Sequence, residues 1–407
     1  MRLNLSWPAP HLVMMDKYQG MKKKMAVVLT TISDGRFLFA FRESVLHSRD
    51  IIQLSFFVIG DINTPAFCQS ACAQFSHFCE CNYVSPSEQE VFLRKVSFPP
   101  ELIPFKSDNR RNVGFLMALA DGCDMVVSID DDNFPLEKHF FLQHSIVGDD
   151  ISGLSVTTNN RWFNPMSLLD NAMNGINPIH VYPRGFAYAR KWNDYSRIDS
   201  GAGTLTGKLG INVGLWTGDP DIDAVTRITS RCVSVAGDWS NHSHFILADN
   251  HLMPINSQNT CIISEAIVCY YFVRMGFGIN GMRMDRFGDI FSGYFVLLCN
   301  CSVGNLVALG YPLVNQVRNE HDLFKDLQVE LPGMLVIEEL VPYLEQGLPA
   351  TGSYHEAYGC LIEGLKKFTC SPGKSGFWTG ENLTFIHETI KCMDAWKKSC
   401  GIIRGFS

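Results

Sequence analysis

Residues 26 to 32 are apolar and β-branched, with Thr30 and Thr31 near the end, and polar residues then lead into 37–47, where apolar positions recur at helical spacing. Residues 54–59 make a second apolar run, stopped by Gly60 and Asp61. Thr64-Pro65 reads as the start of another helix, with Thr64 as N-cap and Pro65 in the first position. Strand, helix, strand, helix predicts a mainly parallel sheet covered by helices. In such sheets ligands gather at the carboxyl ends of the strands. A third apolar run, 125–129, ends abruptly in Asp130-Asp131-Asp132, so a buried strand delivers three carboxylates to that edge.

Ahead of the acids, Ser107-Asp108-Asn109-Arg110-Arg111-Asn112 precedes a helical pattern at 115–120. A helix N-terminus beside two arginines suits phosphate or base recognition, although a solvated charged turn has the same composition. From 159 to about 231 the pattern loosens into Asn, Gly, Pro and aromatic residues, and loops of this length inside a domain tend to be functional. Order returns near Cys261, with an apolar stretch at 267–275, an acidic loop from Asp285 into a helix, and a strand over 306–317 that ends at Arg318. Short amphipathic helices follow at 335–344, 356–368 and 383–399. The division expected is an arm over 1–24, a catalytic domain over 25–330 with its nucleotide half ending at 135, and a helical region over 331–407.

Composition narrows the classes. Of 407 residues, 46% are apolar and 18% charged, which is globular, and a net charge of −7 provides no footprint for nucleic acid or an anionic membrane. The fourteen cysteines contain no CxxC pair and many lie in apolar runs, so they read as reduced core thiols, which points to the cytoplasm. Lys22-Lys23-Lys24 before a short apolar run lacks the length and cleavage site of a signal peptide. The uncharged stretch 290–317 could span a bilayer by length, yet Asn300, Gly304, Asn305, Gly310 and Pro312 divide it into a helix and a strand. Gly373-Lys374-Ser375-Gly376 lacks the upstream glycine and strand of a phosphate loop.

Adjacent carboxylates repel by about 1–4 kcal/mol per pair at a few ångströms. A hard divalent ion, Mg²⁺ or Mn²⁺, relieves that repulsion; a surface acidic turn relieves it with solvent. Strand alternation puts Asp130 and Asp132 on one side and Asp131 on the other. Asp132 is therefore expected on the metal, Asp130 on the metal or a nucleotide ribose, and Asp131 in structural hydrogen bonds within the same wall. Thr30, Thr31, Asp61 and Arg111 stand at the neighbouring strand and helix ends. An ion there would neutralise a departing nucleoside diphosphate, and a transferase would also need a general base for the acceptor hydroxyl.

Five stretches carry a family resemblance: Arg111 with Gly114-Phe115; Ile129-Asp130-Asp131-Asp132-Asn133-Phe134; Arg184-Gly185-Phe186-Ala187-Tyr188 with Arg190; Gly214-Leu215-Trp216 with Pro220-Asp221-Ile222-Asp223-Ala224-Val225-Thr226; and Asp289-Ile290-Phe291-Ser292-Gly293 followed by Arg318-Asn319-Glu320. Across roughly 25–345 the chain resembles the reversibly glycosylated polypeptides, the UDP-arabinopyranose mutase family of the GT-A class. The resemblance implies a GT-A fold, a UDP-sugar donor and Mn²⁺ or Mg²⁺ at the triple Asp. It places Arg184 at the family's sugar-modified arginine. Arg190 comes one residue earlier than in the mutases and Ala187 replaces a proline, which favours a related transferase over a true mutase; a non-catalytic nucleotide-sugar-binding subunit is the third reading. Asp289 is proposed as general base, with a helix N-cap as its alternative. Asp221 and Asp223 are expected on sugar hydroxyls or ordering their loop, Trp216 and Arg190 on the donor, and Arg318 and His321 on the diphosphate. The acceptor is a carbohydrate or small molecule, and apolar C-terminal helices could join a homo-oligomer.

Overall fold

The structure, a computed structural model, describes residues 22–173, 181–191, 197–198, 204–229, 232–237, 244–318, 322–370 and 376–405. The expected arm over 1–24 lies almost wholly outside the described residues. Strands β1 (Lys23–Thr31), β2 (Ile52–Gly60), β3 (Glu80–Val84) and β4 (Met125–Ile129) pair in parallel in the order β3-β2-β1-β4. Between them run helices α1 (Arg42–Ser48), α2 (Ala66–Phe75), α3 (Pro86–Lys95) and α4 (Arg111–Ala120). The buried faces of β1, β2 and β4 are continuous Val, Ile, Leu and Phe, as strands covered on both sides require.

Beyond β4 the sheet becomes mixed. Strands β5 (Asn133–Pro135), β6 (Asp150–Thr157), β7 (Thr204–Gly218), β8 (His244–Leu247), β9 (Asn259–Ile263) and β10 (Leu306–Gln316) continue it. β9 joins β4 to β7 by antiparallel ladders, β10 runs parallel to β7, and β5 pairs with the end of β10. Helices α5 (Gly288–Val303), α6 (Leu323–Gln346), α7 (Tyr354–Cys370) and α8 (Gly380–Arg404) form the carboxyl-terminal region, with α7 packed on α5 and α8. This is the α/β architecture expected of a GT-A domain, a mixed sheet parallel through its first strands, flanked by helices and extended by helices.

Three local expectations change. Pro65, not Thr64, occupies the cap position of α2, because the Thr64 hydroxyl donates instead to the Thr31 carbonyl at 2.6 Å. The segment 159–231 is not mainly loop: β7 runs through it for 15 residues in the middle of the sheet, its Gly and Asn positions obscuring the strand pattern. The apolar stretch 267–275 is largely irregular after a 3-10 turn at Ser264–Cys269. The uncharged stretch does divide into α5 and β10, and no described helix is long and apolar enough to cross a membrane.

Candidate active site

β1 and β2 end in register at Thr31 and Gly60, and a cleft of about 310 Å³ opens beyond them, lined in part by Thr30, Thr31, Asp61, Asp108 and Asp131. The Asp61 carboxylate accepts from the backbone N–H of Ile62 and Lys106, both at 2.6 Å, so it fastens the loop that forms the opposite wall. Asp131 turns toward β1 and accepts from the Thr31 hydroxyl at 2.5 Å, which agrees with its odd position in the strand alternation. Burial raises the Asp131 carboxyl above its usual range, against the pull of that hydrogen bond.

Gly114 brings α4 close to β1, where a Cβ would collide with Val28, and this sets Arg111 behind the acids. The buried Arg111 guanidinium pairs with Asp130 and also donates to the Ser128 hydroxyl at 3.0 Å and the Ser257 carbonyl at 2.9 Å. Asp130 is thus already neutralised from within. Asp132 is not: its side-chain partner is the neighbouring Asn133 amide at 2.7 Å. Burial and the charges of Asp130 and Asp131 push its carboxyl up to about 7, with Arg318 the opposing cation. Burial and the arginines Arg227, Arg286 and Arg184 weaken the Arg318 charge in turn, and its buried Nη1 has no partner among the described residues. Asp132 and Arg318 therefore act on one another as opposite charges, with no cation bonded to Asp132 and no partner for Arg318 Nη1 among the described residues.

Arg184 lies deeper. Gly185 has φ +83°, and a Cβ there would strike Ile290 on α5; the close approach carries Arg184 onto the first turn of that helix. Its Nε and Nη2 donate to the two Asp221 oxygens, each at 3.0 Å, while Nη1 and Nη2 donate to the two Asp289 oxygens at 3.1 and 3.0 Å. Nη1 also reaches the Arg286 carbonyl. All five N–H donors of the guanidinium are therefore committed. Burial opposes the Arg184 charge, but Asp221 and Asp289 outweigh it and hold the guanidinium well above its ordinary value. Burial also opposes ionisation of Asp221, yet Arg184 and the Asn256 amide drive its carboxyl below the usual range. Asp289 goes the other way, raised by burial with help from Asp221 and Asp130 against Arg184. It is not the N-cap of α5, a position held by Phe287.

Other expected residues sit apart from this centre. Asp223 caps the short helix Ala224–Thr229 through the Thr226 N–H at 2.8 Å and pairs with buried Lys191 at 2.9 Å, so it orders its loop. Arg190 makes a two-bond pair with Glu345 on α6, at 2.7 and 3.0 Å, instead of facing a donor. Trp216 is buried in β7 at 1% exposure and offers no open ring face. Arg110 stacks over Phe105 and donates to Gln89 at 2.6 Å, a buried support for the cleft wall. His321 lies outside the described residues. Asp108, Asn256 and Lys191 were not singled out from the sequence; Asp108 alone carried a local signal, adjacency to the arginine pair at a helix start.

The geometry is that of an α/β domain with acids, arginines and a cleft at the carboxyl ends of its strands. A family model described as "Reversibly glycosylated polypeptide" matches residues 89–398, and the chain belongs to that family. Two relatives from Arabidopsis thaliana, "Probable glycosyltransferase STELLO1" and "Probable glycosyltransferase STELLO2", are each 24% identical over 294 residues, covering 70% of this chain and 35% of theirs. The chain thus spans about a third of the length of those relatives. Among solved structures, glucosyl-3-phosphoglycerate synthase from Mycobacterium tuberculosis in complex with phosphoglyceric acid is 10% identical, with TM-score 0.38, over 82% of this chain and 85% of that one. A second structure of the M. tuberculosis synthase has TM-score 0.36 at 10% identity, over 82% and 84%.

Proposed function

We propose that the chain is a metal-dependent glycosyltransferase that moves a sugar from a nucleotide-sugar donor, a UDP-sugar, to an acceptor hydroxyl. One observation carries the reading: Asp132, next to Asp131 on the wall of a strand-end cleft sized for part of a nucleotide, is bonded to no cation among the described residues, and Arg318, the cation that acts on it, has a buried Nη1 without a partner among them. A bound cation and diphosphate together answer both. The protein's own carboxylates fit such an ion only in part, since no group of three His, Cys, Asp or Glu among the described residues could hold a metal alone. Asp132, with Asp130, would hold Mn²⁺ or Mg²⁺, and diphosphate and water would complete the shell. When bound, the ion supplies Lewis-acid neutralisation of the departing diphosphate.

The chain's own residues do the rest. Thr30, Thr31 and the loop pinned by Asp61 form the nucleotide wall. Arg111 holds Asp130 in place, and Arg318 faces the diphosphate. The Arg184, Asp221 and Asp289 cage forms a rigid floor on the sugar side. Family membership favours a second reading, a UDP-sugar pyranose/furanose mutase, while the commitment of all five Arg184 donors speaks against a sugar carried on that side chain. The compartment we propose is the cytoplasm, on the strength of fourteen unpaired thiols. Calorimetry with UDP and Mn²⁺ tests the central reading: Asp132→Ala is expected to lose metal-dependent UDP binding, and unchanged affinity would sink it. Chromatography of UDP-arabinopyranose incubated without acceptor separates the two chemistries, since ring-size exchange identifies the mutase.

A further inference from the structure

The turn that enters β9 touches both halves of the site. On one side the Ser257 carbonyl accepts from Arg111 Nη1 at 2.9 Å, and the other terminal nitrogen of that guanidinium holds Asp130. On the other side the Asn256 amide donates to Asp221 Oδ2 at 2.9 Å, the same oxygen that accepts from Arg184 Nη2. The turn is also fixed internally, since the Gln258 N–H donates to Asn256 Oδ1 at 3.2 Å and the Thr260 hydroxyl to the Asn256 carbonyl at 2.8 Å. Three residues thus join the acids of the metal wall to the cage on the sugar side.

Gln258 is the member of this turn with donors to spare. In the antiparallel ladder of β9 with β4, Asn259 stands opposite Ile129. The preceding residue, Gln258, therefore comes opposite Asp130, and residues opposed across a ladder share a face. Its neighbours set the direction of its amide. A carboxylate only accepts, so Asn256 turns its nitrogen to Asp221, and that same nitrogen meets Gln258 Oε1 at 3.4 Å. The two N–H donors of Gln258 Nε2 are left over: Nε2 has no hydrogen-bond partner among the described residues and keeps contact with solvent, although the residue is only 6% exposed.

We propose that the Gln258 amide donates to a hydroxyl of the donor sugar and so helps select which nucleotide sugar is bound. The assignment rests on the nucleotide-sugar reading above. A sugar whose diphosphate meets the acids and whose ring lies on the cage has to pass the turn between them. A neutral amide suits a neutral ring, whereas the diphosphate has a charged partner in Arg318. The bonds to Arg111 and Asp221 hold the turn before any ligand arrives, so a donor without a hydroxyl at that place leaves the amide unanswered in a buried setting.

The test measures the affinity of the full chain, with Mn²⁺ present, for UDP, UDP-glucose, UDP-galactose and UDP-arabinopyranose. Gln258→Met keeps the length of the side chain without its donors, and Gln258→Asn keeps an amide but withdraws it by one methylene. For the donor that wild type binds most tightly, both variants are expected to lose about fivefold or more in affinity while UDP stays within about twofold. Unchanged UDP affinity also reports that the variants have folded. A UDP-sugar affinity within about twofold of wild type in both variants overturns the assignment and leaves the nucleotide-sugar reading standing. Equal losses for UDP and the UDP-sugars overturn it too, by making Gln258 a nucleotide contact or a prop for Asn256. Wild-type protein that binds UDP–Mn²⁺ but none of the three donors removes the nucleotide-sugar reading, and this assignment with it.

Discussion

At the scale of single residues, the chemistry turns on which charges are answered inside the protein. Arg184 is fully answered, and no other side chain can make its five bonds to Asp221, Asp289 and Arg286. Arg184→Lys is therefore expected to destabilise the fold by about 2–4 kcal/mol, because it strands parts of two buried carboxylates, and denaturant melts check this. Asp221 provides a pH signature. Its folded carboxyl is depressed below the ordinary value of 3.8, so its contribution to stability is complete above about pH 4 and is lost as pH falls through the folded value. Asp289 has the opposite sign, since a raised carboxyl penalises the folded state above the unfolded value and relaxes below it. Urea midpoints between pH 5 and pH 2.5 should thus fall more steeply for wild type than for Asp221→Asn, and equal slopes would contradict the cage as described.

Among elements, two contacts decide where the site residues go. α4 lies against β1 only because residue 114 has no side chain, and Gly114→Ala should cost about 1–3 kcal/mol while displacing Arg111 from Asp130. Thermal melts would show the first effect, and weaker UDP–Mn²⁺ binding the second. α6 is tied to the 181–191 segment by Arg190 with Glu345, and Trp162 also donates to Glu345 at 2.8 Å. Glu345→Ala removes a half-exposed pair worth about 1 kcal/mol or less. Its larger consequence is expected at the site: the segment that carries Arg184 loses an anchor, so the Michaelis constant for donor should rise with little change in melting temperature.

For the whole molecule, the sheet brings together residues far apart in the chain: Thr31, Asp132, Arg184, Asp221, Asp289 and Arg318 all approach the carboxyl edge of its first strands and the neighbouring loops. A ligand that bridges these parts should stabilise them together. With Mn²⁺ present, UDP at about 100 times its dissociation constant should add about 2.7 kcal/mol to wild-type stability, seen as a concentration-dependent rise in melting temperature. Asp132→Ala should abolish the part of that rise that depends on metal. A shift of equal size in the variant would show that nucleotide binding does not run through the acids.

The alternation of apolar strands and helical patterns up to Ile129 was legible in the sequence because β1, β2 and β4 are buried on both faces, and strands so covered are continuously apolar. The triple Asp was legible for the same reason, as charge placed where a buried strand must end. β7 was not, since its glycines and asparagines are tolerated by packing against β9 and β10 that no local pattern reveals. Pairing was equally hidden: Asp221 and Asp223 read as loop acids and Asp289 as an acid at a helix start, and only the fold assigns the first to a saturated arginine, the second to a helix cap with Lys191, and the third to the arginine's other face. Whether an acid is available for chemistry depends on which cation the tertiary structure brings beside it. The sequence thus determined that carboxylates would line the strand ends, and the tertiary structure decided that Asp130 is answered by the buried Arg111 while Asp132 has only the Asn133 amide as its side-chain partner.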